Sequence, residues 1–446
     1  IIDFKEIFFN CDKSAKKRFV FSTRLTDDST GYIRLNTLLN TQPSVLKNRL
    51  KLKTWEAKEA LRCYKAFHSY KFYSLVIDGL ENDDVEEIFI RINSAGMTVS
   101  RADRLFANAS NVNLRDHMLD TKRGLKYGFD KISVDALQNT LGLAYDATKI
   151  GNVGFNNFLK SIEKNKKNNE EKKKEFEVKW KKLQYGYEEA VDFLVNTLNV
   201  KRIDLLPSQN IYSMLAYFFY LNESRAKTHQ IKEIKKWFWH TACGDRYTGS
   251  GFNRNIPDDI KYFKRLANGN NARYPITEKI LPVDFLKSNY SRAGASSTNA
   301  YYILLRSKKP KYLINGQEML LDNVSSISNR QDRHHIFPSA LLRRGKINPK
   351  WINSINNVCY LASDENQSIN KNHPRIYLED YKRKRHFGSV MKSNLIPYDK
   401  TSPVWAYNVR KAFLNFLNLR GKTIISEIEK LAGAKIFDKF DAVRRI

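Results

Sequence analysis

Phe176, Trp180, Leu183, Tyr187, Val191 and Leu194 recur at spacings of 4, 3, 4, 4 and 3 residues. That period marks one face of an α-helix, and a stripe this long demands other elements to cover it. The same periodicity governs the chain from about 104 to 300, where the apolar run 211–221 predicts a buried helix. Trp237-Phe238-Trp239 then leads into the glycine-rich stretch 244–251, and these aromatics suit a core helix end better than a base-stacking platform.

The first hundred residues are mixed. Ile1-Ile2-Asp3-Phe4 and Arg18-Phe19-Val20-Phe21 are strand-like, 36–80 is helical and ends in a strand over 72–77, and 85–92 is an amphipathic helix. Asn93-Ser94-Ala95-Gly96 is a turn, and Ser100 with Asp103 forms a capping box for the next helix. Lys-, Asn- and Glu-rich 164–174 reads as a solvated connection and Ser/Ala/Gly-rich 291–300 as a linker. Two helical stripes in the tail, Val409/Phe413/Phe416 and Ile424/Ile428/Leu431, are separated by Gly421. The expected domains are 1–108, 109–295, 296–392 and 393–446.

Lysine and arginine exceed aspartate and glutamate by 77 − 47 = 30, which suits a polyanionic partner. A 42% hydrophobic and 12% aromatic composition supports packed cores and argues against disorder. Cys11, Cys63, Cys243 and Cys359 lie far apart, against a zinc or disulfide framework and for a reducing cytoplasm. No apolar run approaches the roughly 20 residues that span a bilayer. Gly421-Lys422-Thr423 is no P-loop, because Phe416 stands where its first glycine belongs. Gly249 and Gly251 are no dinucleotide fingerprint, because Arg254 replaces the third glycine.

The chemistry concentrates at Asp332-Arg333-His334-His335-Ile336-Phe337-Pro338, followed by Asn357 and Asn366. Pro338 cannot donate to a ladder, so a strand should end there with the histidines at its rim. Residues 357–361 read as a second strand, and Ser363-Asp364-Glu365 as the start of a helix carrying Asn366 and, one turn on, Asn370. Adjacent imidazoles with carboxamides about one hairpin later suit a one-metal nuclease. One imidazole holds a divalent cation while its neighbour takes a proton from water.

This string resembles the His-Me finger, or HNH, nucleases, whose ββα-metal fold has the same order of elements. The resemblance implies His335 as general base, His334 as the preceding metal ligand, Asn357 as the brace of the base and Asn366 as second ligand. Asp332 is left as an outer partner or alternative ligand, and Asn370 as an alternative to Asn366. Mg²⁺ or Mn²⁺ is the implied cofactor, and histidine in a position often held by aspartate would shift preference towards Mn²⁺, Ni²⁺ or Zn²⁺. Arg333, Arg343, Arg344, Lys371, Lys382 and Arg383 are the basic residues expected on DNA, with His373 and His386 on the same phosphate-facing surface.

A second resemblance covers much of the rest. Glu87-Ile88-Phe89-x-Arg91-x-Asn93-x-x-Gly96-x-x-x-Ser100 is similar to the end of the ParB-like nucleotidase domain of GmrSD-type type IV restriction enzymes. Trp237-Phe238-Trp239 with Arg246-Tyr247 resembles their helical middle. The Asp-Gly-Gln-Gln-Arg motif of that family is missing, and Ile1 begins where the strand after it should be, so residues upstream of this sequence are expected. An NTP is implied by family alone.

The expected fold is therefore α+β and mostly helical: a partial ParB-like α/β N-terminal domain, a helical middle and a ββα-metal nuclease module. The expected activity is cytoplasmic, metal-dependent cleavage of DNA, modified phage DNA above all, in phage defence, with no membrane and with room for a homodimer. Two alternatives stay open: a modified-DNA-binding regulator that does not cleave, and an RNA- or tRNA-directed nuclease of the same chemistry.

Overall fold

A computed structural model of the chain describes residues 6–22, 24–26, 30–71, 100–146, 148–164, 169–249, 251–269, 271–292, 295–319, 321, 333–360 and 372–444. They are α+β and mostly helical and fall into two compact units, Ile1–Glu81 and Asn82–Ile446. The stretches 72–77, 85–92 and 93–96 lie outside the described residues, as does Ile1–Phe4.

In the first unit, β1 (Ile7–Asn10) is the centre of a three-stranded antiparallel sheet, flanked by β2 (Phe19–Phe21) and β3 (Tyr32–Arg34). Phe9 pairs with Phe19 on one side and Ile33 on the other. Helices α1 (Leu35–Asn40), α2 (Pro43–Arg49) and α3 (Thr54–His68) complete the unit. Its small core joins Phe9, Cys11 and Ile33 to Leu38, Leu46, Ala60 and Cys63. The buried Glu59 carboxylate is held by Arg18 at 2.9 Å and Lys13 at 3.2 Å.

The second unit opens at α4 (Arg101–Asn108), where Ser100 Oγ accepts the Asp103 N–H at 3.1 Å as the capping pattern predicts. There follow α5 (Leu114–Gly124), α6 (Val134–Tyr145), α7 (Val153–Lys164), α8 (Asn169–Asn196) and α9 (Gln209–Asn222). The six stripe residues of α8 are all buried, and α9 packs along them. At Gly186 a Cβ would lie 2.6 Å from the Ala216 carbonyl oxygen, so glycine is what lets α8 and α9 come this close. The start of α8 takes in 169–174, part of the expected connection. Pairs such as Lys173–Glu170, at 3.2 Å, suit that charged sequence to a helix surface.

Next come α10 (Thr228–Cys243), α11 (Gly251–Ala267) and α12 (Ser296–Ser307). Trp237, Phe238 and Trp239 are buried at the end of α10, the core role expected of them. Behind them Asp259 accepts from Trp237 Nε1 at 3.0 Å and from Arg246 at 3.1 and 3.2 Å, and also from the Tyr247 hydroxyl. The supposed linker is not one in its second half. Ser296, Ser297, Thr298 and Asn299 begin α12 fully inside, with Ser296 Oγ donating to Ala242 O and Asn299 Nδ2 to Asp204 O and Leu206 O. Small polar side chains are used there for close packing, with donors directed at backbone carbonyls and, from Ser297 N–H, at the Asp245 carboxylate at 3.1 Å.

The remainder comprises a two-stranded antiparallel hairpin of β4 (Arg333–His335) and β5 (Val358–Tyr360), with α13 (Ser339–Arg344) and α14 (Pro349–Ile352) between them. Then α15 (Pro374–Tyr377), α16 (Glu379–Lys382) and α17 (Phe387–Ser393) lead to α18 (Val409–Ala432). Gly421 does not interrupt α18. Its missing Cβ admits Leu286 Cδ1, which would lie 2.7 Å away. A large cluster running from Leu105 to Phe437 forms one core, and a smaller one gathers Phe337, Cys359 and Tyr377 onto Phe413 and Phe416 of α18. All four cysteines are free and buried. Among the described residues no helix is long and apolar enough to cross a membrane.

Candidate active site

Strands of three residues do not hold together by their own ladder. The hairpin is instead anchored by Arg420, which is 0% exposed. Its guanidinium donates to Val358 O and Asn356 O at 2.9 Å, to Leu395 O and Asn394 O at 3.0 Å and to the Tyr301 hydroxyl at 2.9 Å. The Tyr301 hydroxyl in turn donates a hydrogen bond to Val358 O. One buried cation thus binds β5, the residues before it and the end of α17 to α18.

The register pairs His334 with Cys359 and His335 with Val358. Successive side chains leave a strand on opposite faces, so His334 and His335 do not share one. His334 is buried at 7% exposure on the face of Cys359, a member of the smaller core. His335 is partly buried on the face of Arg333 and Tyr360, towards α12.

His335 is held on two sides. Its Nε2 lies 3.2 Å from Asn353 Oδ1, and its ring meets Tyr290 edge-on at a centroid distance of 4.8 Å. A carboxamide oxygen only accepts, so Nε2 carries the proton and Nδ1 keeps its lone pair. Asn353, just after α14, is positioned in turn: its N–H donates to the carbonyl of Pro349, the first residue of that helix, and its own carbonyl accepts the Tyr290 N–H, each at 3.0 Å. Burial pushes the His335 imidazole below its usual pKa, against the raising effect of Asn353, and the Arg343 charge lowers it further. The ring is neutral at neutral pH, the state a general base requires.

Asn357 is fully buried, and its side-chain hydrogen bonds go to Phe337 and Ile352. Its Oδ1 accepts the Phe337 N–H at 3.0 Å, and its Nδ2 donates to Phe337 O at 3.1 Å and Ile352 O at 3.0 Å. It braces the chain just after the histidine rather than the imidazole itself. From the other side Tyr377 donates its hydroxyl to Ile336 O at 2.7 Å.

Asp332, Asn366, Asn370 and Lys371 lie outside the described residues. Arg333 is turned inward, its guanidinium 4.1 Å from the Tyr302 ring centroid and donating to Tyr290 O. Arg343 and Arg344 are exposed at the end of α13, Arg343 near enough to act on His335. Lys382 is exposed at the last position of α16 and Arg383 just after it. The other two histidines of that expectation are partly buried and engaged by backbone. His373 caps α15, its Nδ1 accepting the Arg375 N–H at 3.1 Å, and His386 Nε2 meets Leu313 O at 3.1 Å.

Asn353, Tyr290, Tyr377 and Arg420 are the contributors that sequence reasoning missed. Asn353 follows a proline-started helical turn, but no spacing rule links it to a ring 18 residues away. Of the ligands the resemblance implies, only His334 is described, and among the described residues no three His, Cys, Asp or Glu side chains gather where they could hold a metal ion. The described side chains alone do not supply a cation site beside His335.

No family model matches the chain, and no solved structure matches it. An uncharacterized protein of Methanocaldococcus jannaschii is 25% identical over 177 residues, which are 38% of this chain and 28% of that protein. The chain therefore spans less than a third of that relative.

Proposed function

We propose that this chain is a metal-dependent DNA endonuclease of the His-Me finger kind, with His335 as general base. The observation that carries the reading is the setting of His335: a neutral, partly buried imidazole at a hairpin rim, with Nε2 engaged by Asn353 and Nδ1 left to accept a proton. In the proposed step Nδ1 takes a proton from water, the resulting hydroxide attacks the scissile phosphorus, and the P–O3′ bond breaks with the 3′ oxygen taking a proton from solvent, leaving 5′-phosphate and 3′-hydroxyl ends. Asn357 and Tyr377 keep the backbone beyond the base from shifting as the ring is loaded. Arg343 and Arg344 supply positive charge at the rim, and a net charge of +30 adds sequence-independent phosphate affinity.

A divalent cation would be held by His334 with Asn366, or with Asp332 or Asn370 in its place. These mostly neutral nitrogen and oxygen donors leave coordination positions for water and phosphate, as Mg²⁺ or Mn²⁺ requires. When bound, the ion would neutralise charge on the phosphate and steady the leaving oxygen. By its resemblance to GmrSD-type enzymes the chain would act in the cytoplasm on modified phage DNA, gated by its N-terminal domain and, in a longer chain, by a nucleotide.

The opposite orientation of His334 and His335 favours a second reading, a DNA-binding regulator that does not cut. Incubating modified and unmodified phage DNA with Mg²⁺ or Mn²⁺, with and without nucleoside triphosphates, separates the two. Cleavage lost in His335→Ala supports the endonuclease. Absence of cleavage under every metal, with DNA binding intact, supports the regulator.

A further inference from the structure

We infer that the face around Tyr407 receives an unpaired stretch of DNA, one base stacking on the Tyr407 ring and the neighbouring phosphates meeting Arg375, Lys382 and Lys384. The inference rests on DNA being the substrate and adds which form of it is held beside the site. Tyr407 is 81% exposed, more than any other large apolar side chain among the described residues. Burial would have stabilised such a ring by a few kcal/mol, and at this exposure much of it is left available to a ligand.

Three cation–ring pairs occur on or just after the short helices α15 and α16 and on the segment that carries Trp405 and Tyr407. The Arg375 guanidinium stands 4.1 Å from the Tyr407 ring centroid, Lys382 Nζ 4.5 Å from that of Trp405, and Lys384 Nζ 4.9 Å from that of Tyr381. Each ring restricts a long basic side chain, reducing the rotamer freedom lost when a phosphate binds, and Lys384 Nζ also donates to Ile314 O at 3.0 Å. Arg375 covers one face of Tyr407, and at this exposure the other is open. Duplex DNA keeps its base faces inside the stack and has nothing to lay on that ring. An unpaired base does, and sequence-tolerant stacking beside a basic track is how single strands are held. Glu379 pairs with Lys382 at 3.4 Å, but both are exposed, so a phosphate can displace it.

The location fits. α15 turns Tyr377 inward to Ile336 O, and His373 at its N-terminus stacks edge-on against Phe337 at 5.5 Å. Arg375 lies on that same short helix, so the proposed contact sits on the element that packs against Ile336 and Phe337.

The test is fluorescence anisotropy on the full chain in EDTA, with one labelled sequence of about 20 nucleotides offered as single-stranded DNA, duplex DNA and RNA. Single-stranded DNA should bind best. Tyr407→Ala should weaken it about tenfold while changing duplex affinity less than about twofold, and Tyr407→Phe should retain it. Unchanged single-strand affinity in Tyr407→Ala, equal loss on duplex, or tighter binding of RNA would overturn the inference. Because cleavage plays no part in this measurement, its failure is distinct from that of the endonuclease reading. A chain that never cuts but needs Tyr407 for single strands refutes only the latter.

Discussion

His335 Nε2 and Asn353 Oδ1 lie 3.2 Å apart, and this contact decides which nitrogen of the imidazole is basic. Asn353→Ala frees the ring to adopt either tautomer and rotate, and should lower kcat about 10- to 100-fold with little change in KM. Asn353→Asp should keep the orientation but place a carboxylate on Nε2, favouring the imidazolium. The acid limb of the pH–rate profile then moves to higher pH, a shift that a merely structural role for Asn353 would not produce.

Replacing the base itself has a larger effect. His335→Ala should lose about 10²- to 10⁴-fold in plasmid nicking with Mg²⁺ or Mn²⁺. His334→Ala should lose activity that added metal partly restores, if His334 holds the ion. Equal activity of both variants and the parent chain would place the chemistry elsewhere.

Stability should fall in mild acid. Burial first, with the Arg246 charge second, holds His240 down at about 4. Burial also depresses His335 and His373, where Arg343 and Arg375 contribute. All three bind protons more readily unfolded, so their contribution is complete above the unfolded value of about 6.5 and declines as pH drops through the folded ones. Urea midpoints measured at pH 7.5, 6 and 5 by stepwise titration should decrease in that order, a trend of roughly one to a few kcal/mol in total. A flat profile would mean that these rings are already solvated.

Arg420→Met should unfold the hairpin's support. It leaves the carbonyls of Asn356, Asn394 and Leu395 without their donor and Val358 O with the Tyr301 hydroxyl alone, at a cost of about 3–5 kcal/mol in chemical denaturation. Arg420→Lys should rescue little, because a point charge cannot reach acceptors arranged around a planar fork.

How much of this was legible in the chain follows from the range of the forces involved. The α8 stripe, the buried run within α9 and the Ser100 cap depend on neighbours within a few residues, and the sequence determined them by itself. The strand ending before Pro338 and a second strand from Val358 were legible for the same reason. Other features needed the tertiary structure. Small polar residues at 296–299 read as a linker until α10 and its carbonyls are seen around them, and Gly421 reads as a break until Leu286 is seen in its place. The site divides in the same way. The residue types at His334, His335 and Asn357 could be picked out along the chain, because adjacency and spacing are written there. That Asn357 braces Phe337, that Asn353 meets the imidazole and that a buried Arg420 gathers four carbonyls was decided only by folding, because each contact joins segments that no local period connects.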